Sequence, residues 1–219
     1  TTLVLRLPIG VRVPFTAGQY VAILLADGET RNYSIANPSR RNDEIELHIR
    51  RIPGGLFSDR VLTSLVVGDT LDIEMPFGLF GWGKAPNVPA ILLATGTGFA
   101  PLKSMIADLI DRGDARPVHL FWGCEQKQDI YDTAIIDHWS KSLPWFRFTP
   151  VLANGDTEWR GSRGFVQDAA AAHYGDLSGH EVYACGNPMM IDQAKSLLTS
   201  ECRLSENAFF ADAFVSANA

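Results

Sequence analysis

Two short segments, about sixty residues apart, carry residue types that suit the binding of phosphates and flat rings. The first is RNYS, in which Arg31 offers a guanidinium fork for a phosphate, Tyr33 a flat ring, and Ser34 a small donor and acceptor. Because side chains alternate along a strand, we expect Arg31 and Tyr33 on one face. On these residues alone, an ordinary strand with a core tyrosine is the simpler interpretation.

The second segment is GTGFAP, from Gly96 to Pro101, between the apolar run AILLAT and the helical pattern PLKSMIADLI. A glycine turn from strand to helix presents backbone N–H groups and the positive end of the helix dipole, which suit a pyrophosphate. Pro101 fits the first turn of that helix. The pattern differs from GxGxxG, and a tight structural turn is the alternative, because an isolated glycine motif is weak evidence.

Three further segments carry candidate site residues. In PGGLFSDRVL, Gly55 and Ser58 begin a helix-like run that indicates either a phosphate site or a helix cap. In YACGNPMM, Cys185 ends an apolar strand, where a free cysteine is usually a small buried hydrophobe. FFADAF, which contains Asp212 and ends at Phe214, indicates core packing or a lid.

Composition excludes several classes of function. A net charge of -6 disfavours nucleic acid, and no apolar run of about eighteen residues is present to span a membrane. No secretory leader is visible, so we expect the cytoplasm. The three cysteines are too few for the four thiolates of an iron–sulfur cluster, so any such cluster is expected outside this chain, and we predict no metal site.

The 219 residues are long enough for two domains, and the pattern changes near the Gly- and Pro-rich stretch 81–89. Residues 1–84 show short β runs with turn residues between them, which predict an antiparallel β-barrel. In EIELHIRRI the apolar positions Ile45, Leu47 and Ile49 alternate with polar ones, so His48 is expected to face outward.

Residues 85–219 alternate continuous apolar strands with helical patterns, and they end in the aromatic segment. This alternation predicts an α/β domain with a doubly wound parallel sheet. Its ligand is expected at the carboxyl ends of the strands.

Taken in order, these motifs resemble the ferredoxin–NADP reductase superfamily over nearly the whole chain, and most of all its bacterial NADH-dependent flavoprotein reductases, including oxygenase reductases and flavin reductases. The resemblance implies a flavin-binding barrel followed by a domain that binds NAD(P)H. It implies FAD, with FMN possible, and NADH as the reductant. TTLVLRL resembles the second strand of that barrel, so we expect the first strand, and any [2Fe–2S] domain before it, to lie outside this sequence.

The resemblance also assigns the flavin site. It places the phosphate moiety of the flavin on Arg31, the flavin ring against Tyr33, and a hydrogen bond near flavin N5 on Ser34. Gly55 and Ser58 complete the phosphate site.

For the nicotinamide site, the resemblance places the NAD pyrophosphate on Gly96, Thr97 and Gly98. It places the groove for the nucleotide along Gly123 and Glu125.

The residues that the resemblance implies in catalysis are Ser34, Cys185, Asp212 and Phe214. Cys185 would lie against the nicotinamide, while Asp212 and Phe214 match a terminal acidic and aromatic pair of the family. Phe214 is also expected to cover the flavin and to move aside for the nicotinamide. The chain ends shortly after Phe214, as in the free flavin reductases.

The implied reaction is hydride transfer from NADH to FAD, followed by release of single electrons to an iron–sulfur protein such as a ferredoxin, or to an oxygenase component. Where NADP-using members have a serine and an arginine, this chain has Ala153 and Asn154, which favours NADH, although Arg160 or Arg163 remains within possible reach of a phosphate. Two alternatives stay open: a reductase that uses free flavin as a diffusing substrate, and a binding module without activity.

Overall fold

The described part of the chain forms two units. The computed structural model describes residues 1–83, 87–154 and 158–214. The first unit comprises Thr1–Trp82 with Ala100–Gly113, and the second comprises Gly83–Phe99 with Asp114–Ala219. The predicted division into residues 1–84 and 85–219 falls on positions 84 and 85, which lie outside the described ranges, and it stays a prediction.

Two antiparallel sheets form the first unit. One pairs β1 (Thr2–Arg6) with β4 (Glu44–His48), and the other has β2 (Tyr20–Leu24) between β3 (Thr30–Ser34) and β5 (Ile73–Phe77). An isolated bridge between Ile35 and Leu47 connects the sheets, which share one apolar core. The antiparallel character predicted for this half of the chain is confirmed.

Helical segments complete the first unit. A π-helical turn (Leu56–Val61) leads into the short helix α1 (Leu62–Ser64), and α2 spans Phe99–Arg112. Residues of α2 bond to the loop after β3, where the Ser104 hydroxyl donates to the Asn37 carbonyl at 2.7 Å. This contact is buried, so α2 from Ala100 onward is part of the first unit's packing.

In strand β4, the alternation of apolar and polar residues predicts the burial of one residue wrongly. Ile45 and Leu47 are fully buried as expected, but His48 is only 5% exposed, so the expectation that it faces outward is wrong. Its Nε2 lies 2.8 Å from Glu46 Oε1, and the Lys103 ammonium of α2 donates to the same oxygen at 2.7 Å. A helix that follows about fifty residues later therefore covers the polar face of this strand.

The second unit is built on a six-stranded sheet in which every pairing is parallel. Its strands are β6 (Ala90–Thr95), β7 (Val118–Cys124), β8 (Phe146–Leu152), β9 (Ser162–Arg163), β10 (Glu181–Gly186) and β11 (Phe209–Ala213). Its helices are α3 (Thr133–Ser142), α4 (Val166–Tyr174) and α5 (Pro188–Ser200). The predicted doubly wound sheet is confirmed.

The strand order is β11-β10-β6-β7-β8-β9, so the chain runs outward from β6 and then returns to its other side. In an open α/β sheet, this reversal leaves a crevice beyond the carboxyl ends of the two central strands. Here those strands are β6 and β10, which end at Thr95 and Gly186. No helix in the described part of the chain is long and apolar enough to cross a membrane.

Candidate functional site

The glycine segment lies where the sequence predicted it, directly after β6. Gly96–Gly98 form a short 3-10 turn, and α2 follows from Phe99 with Pro101 in its first turn. Gly96 has a φ of 53°, in the left-handed region that glycine adopts at least cost. A Cβ added at Gly96 would have no atom within 4 Å, so that side of the turn is open.

Close packing between the ends of β6 and β10 fixes the other side of the turn. A Cβ at Gly98 would overlap the Cys185 carbonyl oxygen, and one at Gly186 would overlap the Thr95 hydroxyl. That hydroxyl accepts the Asn187 backbone N–H at 2.9 Å. Only glycine fits at both positions, because neither has room for a Cβ.

Gly123 and Glu125 lie at the carboxyl end of the neighbouring strand β7. Gly123 is half-buried, and a Cβ there would lie 2.8 Å from a methyl of Val166. Glu125 is exposed, and its carbonyl accepts the Asn154 backbone N–H at 3.1 Å. The two residues predicted to line the nucleotide groove therefore lie at the end of a strand of the sheet. Residues 155–157 lie outside the described residues.

The C-terminal aromatic segment is a strand. The sequence left core packing or a lid open, and the structure shows β11 paired in parallel with β10, with Cys185 opposite Asp212. Phe214 is half-buried and its backbone N–H donates to the Gly186 carbonyl at 2.8 Å. Edge pairing therefore brings Asp212 and Phe214 to the same end of the sheet as the glycine turn.

Cys185 is fully buried. Burial, and secondarily the Asp212 carboxylate, raise the pKa of its thiol well above the usual value. Burial also raises the pKa of the Asp212 carboxyl. Because the thiolate is the reactive form of cysteine, this rise in pKa disfavours Cys185 as a covalent nucleophile.

The side chains predicted for the flavin lie in the first unit, on β3. Arg31 and Tyr33 share a strand face, and the Arg31 guanidinium donates to Glu29 Oε2 at 2.7 Å. The Tyr33 ring lies 5.5 Å from the Phe57 ring, and burial raises the pKa of its phenol, an effect that Arg31 partly offsets. Ser34, the next residue, is buried.

Gly55 and Ser58 form the second predicted phosphate element. This segment lies beside β3, because Phe57 within it contacts Tyr33 of that strand. The Ser58 hydroxyl accepts the Ile52 backbone N–H at 3.2 Å and would lie 2.7 Å from a Cβ at Gly55. Gly55 immediately precedes the helical residues 56–64, whose first backbone N–H groups have no partner within a helix.

Two residues that contribute to the glycine turn were not singled out from the sequence. Trp122 of β7 donates its indole N–H to the Gly96 carbonyl at 2.9 Å, and Asn187 caps α5 by accepting the Met189 N–H at 2.8 Å. The Asn-Pro pair at the start of α5 is a recognisable capping signal. No sequence signal connects Trp122 with Gly96.

The two groups of residues fit the two implied cofactors. In the second unit, a closely packed glycine turn at a strand end has an open outer side, as a diphosphate requires. In the first unit, a guanidinium and an aromatic ring share a strand face next to a helix start, as a flavin nucleotide requires.

Comparison with known proteins agrees with this assignment. Residues 1–82 match the oxidoreductase FAD-binding domain, and residues 92–196 match the oxidoreductase NAD-binding domain. The two matches define the class of protein as a flavin- and nicotinamide-binding oxidoreductase. The two-domain fold is that of the ferredoxin–NADP reductases.

Named relatives include reductases of several systems. Reductase component 1 of terephthalate 1,2-dioxygenase from Comamonas sp is 41% identical over 211 residues, which are 96% of this chain and 62% of that protein. CDP-6-deoxy-L-threo-D-glycero-4-hexulose-3-dehydrase reductase from Yersinia pestis is 40% identical over 211 residues, 96% of this chain and 63% of that protein. The chain thus spans less than two thirds of the length of these relatives.

A solved structure matches the fold closely. The Amycolatopsis cytochrome P450 reductase GcoB superposes with a TM-score of 0.91 and 29% identity, over 99% of this chain and 65% of that protein. The similarity extends over both units of the present chain.

Proposed function

We propose that this chain is the flavin- and nicotinamide-binding part of an NADH-dependent reductase that supplies electrons to an iron–sulfur protein or an oxygenase component. The observation that carries the proposal is the closely packed glycine turn at the crevice of the second unit, in a chain that also has an FAD-binding domain. Reductase components of oxygenases among the relatives support the same acceptor class.

FAD, when bound, supplies the redox chemistry, since it accepts a hydride from a nicotinamide and gives up electrons singly. The chain's contribution is to bind and orient. Arg31 would exchange its exposed partner Glu29 for a flavin phosphate, because a buried or bidentate phosphate contact is worth more than a surface ion pair. Tyr33 would pack on the flavin ring and Ser34 would hydrogen-bond near its N5, while Gly55 and Ser58 complete the phosphate site.

In the second unit, the backbone amides of Gly96, Thr97 and Gly98 would hold the pyrophosphate of NADH. Cys185 has no exposed surface in this structure, so its neutral thiol would lie behind the surface on which the nicotinamide packs, and burial disfavours its charged form. Phe214, tied by its backbone to Gly186, would cover the flavin in the absence of NADH.

The preference for NADH has an electrostatic argument. Ala153 and Asn154 carry no positive charge. The Asn154 backbone N–H donates to the Glu125 carbonyl, and the side chain of Glu125 is exposed. The Arg163 guanidinium donates to the Trp159 carbonyl at 2.9 Å and so has a partner four residues earlier in the chain. A 2′-phosphate beside Glu125 would face a like charge, which disfavours NADPH.

One absorbance spectrum of the purified protein, with the flavin extracted and identified, tests the proposal together with an NADH–ferricyanide assay. We expect a yellow protein that contains FAD and oxidises NADH. A colourless protein that oxidises NADH only with added flavin would instead identify a reductase of free flavin. Failure to oxidise NADH with either acceptor would contradict the proposal and support a binding module.

A further inference from the structure

The largest fully buried side chain, Trp122, lies beneath the glycine turn. It comes from β7 in register with Ala94 of β6, and its indole N–H donates to the Gly96 carbonyl at 2.9 Å. Its ring stacks on Phe99 with centroids 4.2 Å apart and meets the Tyr131 ring edge-on at 4.9 Å. With the ring held on two sides, the direction of its N–H is fixed.

The hydrogen bond determines where the next amide points. The Gly96–Thr97 peptide is trans, and in a trans peptide the C=O and the following N–H point in opposite directions. Because the Gly96 carbonyl points to the buried indole, the Thr97 N–H points away from it. A Cβ on Gly96 would meet no atom within 4 Å, so the turn is open at the residue whose carbonyl the indole holds, and we infer that the Thr97 amide can reach a ligand at the crevice.

The same bond resists an alternative conformation of the turn. Glycine permits the peptide to rotate by half a turn, which would aim the carbonyl outward and present a negative dipole to a phosphate. Such a rotation would leave the Trp122 N–H buried without this acceptor, and an unsatisfied buried donor is costly. Donation from the indole also polarises the peptide and strengthens its N–H as a donor.

We propose that Trp122 is a positioning residue for the dinucleotide site, which aims the Thr97 amide at the diphosphate of NADH through its bond to the Gly96 carbonyl. This inference rests on the proposed function and deepens it. If Trp122 were mainly structural, its substitution would lower stability and leave the relation between KM and kcat unchanged. If it is a positioning residue, its substitution weakens the binding of ligands that contain a diphosphate.

The test is Trp122→Phe in the FAD-loaded protein, with dissociation constants for NAD⁺ and ADP-ribose measured by calorimetry. We expect both constants to rise about tenfold, as for the loss of a buried donor. The KM for NADH should rise by a similar factor while kcat at saturating NADH changes less than about twofold. Flavin content should be unchanged.

Trp82→Phe is the matched control, because the Trp82 indole donates to the Met105 carbonyl at the same distance of 2.9 Å within the first unit. Its dissociation constants should equal those of the wild type. Should Trp122→Phe fail to fold, 3-benzothienylalanine at position 122 keeps the ring shape and removes only the N–H, with the same expected result.

The inference would be overturned if the Trp122 variant bound both ligands with wild-type affinity, or if its kcat fell while its KM stayed unchanged. The proposed function would still stand in either case if the wild type oxidised NADH. A wild-type protein that neither binds NAD⁺ nor oxidises NADH would overturn both.

Discussion

The candidate sites of the two units are built from different parts of the chain. In the second unit the pyrophosphate site is backbone, held by glycines that approach Thr95 and Cys185 too closely for any side chain. In the first unit it consists of side chains that have other partners in this structure, such as Arg31 with Glu29 and Ser58 with Ile52. The nicotinamide site is therefore preorganised, whereas the flavin site must exchange internal contacts for the ligand.

This difference predicts how each site responds to substitution. A backbone site fails when its geometry changes, and stability and binding are lost together. A side-chain site loses affinity in steps while the fold persists.

Gly98→Ala should have the largest effect, because the added methyl would overlap the Cys185 carbonyl. We expect a loss of about 3 kcal/mol in the free energy of unfolding, since both neighbours are backbone that cannot rotate away. NAD⁺ binding should be lost while FAD content is retained. Gly179→Ala is the control, because a Cβ there has open space. Urea denaturation and calorimetry measure both quantities, and a stable variant with normal NAD⁺ affinity would contradict the backbone model.

Arg31→Ala should lower the affinity for flavin and leave the stability of the protein nearly unchanged. Loss of a charged hydrogen-bond donor to phosphate predicts flavin binding weaker by about thirtyfold, or about 2 kcal/mol. The surface pair with Glu29 adds little, so the melting temperature of the flavin-free protein should hardly change. Fluorescence titration with FAD measures the affinity. Arg12→Ala, an exposed arginine paired with Asp43, is the control, and equal losses in both variants would rule out the phosphate role of Arg31.

Acid should affect the second unit before the first. Burial, with His173 and Arg147 nearby, lowers the pKa of His119 to about 4, so the unfolded chain binds a proton that the folded one does not. Stability therefore falls between about pH 6.5 and pH 4, by roughly 2 kcal/mol. In the first unit, hydrogen bonding from His48 and the contact with Lys103 lower the pKa of Glu46 to about 2, so its contribution is lost only below about pH 4.5.

Tryptophan fluorescence measures this acid response well, because four of the five tryptophans, Trp122, Trp139, Trp145 and Trp159, belong to the second unit. His119→Gln should flatten the stability profile between pH 6.5 and pH 4, as expected for the loss of one titrating group. His138→Gln, at an exposed position of α3, should leave it unchanged. An unaltered profile in His119→Gln would show that another group controls the acid response.

Ser58→Ala should have the smallest effect. It leaves the Ile52 N–H without its hydroxyl acceptor, so we expect a loss of about 1 kcal/mol in stability and flavin affinity about fivefold lower. Ser64→Ala, which removes a hydroxyl that donates to the Val61 carbonyl in the same unit, is the control. Lower stability with unchanged flavin affinity would limit Ser58 to a structural role.

The contrast between the sites also explains what the sequence could predict. A glycine turn between an apolar strand and a helix is a local pattern, so the position of Gly96–Gly98 was predicted correctly. His48 was misplaced because alternation along β4 contains no information about α2, which covers it. The strand β11 was left open because five residues that pair at a sheet edge carry no periodic signal.

The contact of Trp122 with Gly96 illustrates the same limit. It joins two neighbouring strands whose pairing arises from the parallel sheet, and no spacing along the chain encodes it. Side-chain partners such as Glu29 for Arg31 likewise depend on rotamers that only the folded structure defines.

The central claim is that one chain binds FAD and NADH and transfers electrons between them. Anaerobic stopped-flow mixing of the FAD-loaded protein with NADH tests it most directly. We predict that the absorbance band of the oxidised flavin is lost, with an efficiency at least about tenfold greater for NADH than for NADPH. A flavin that dithionite reduces but that neither nicotinamide reduces would contradict the account.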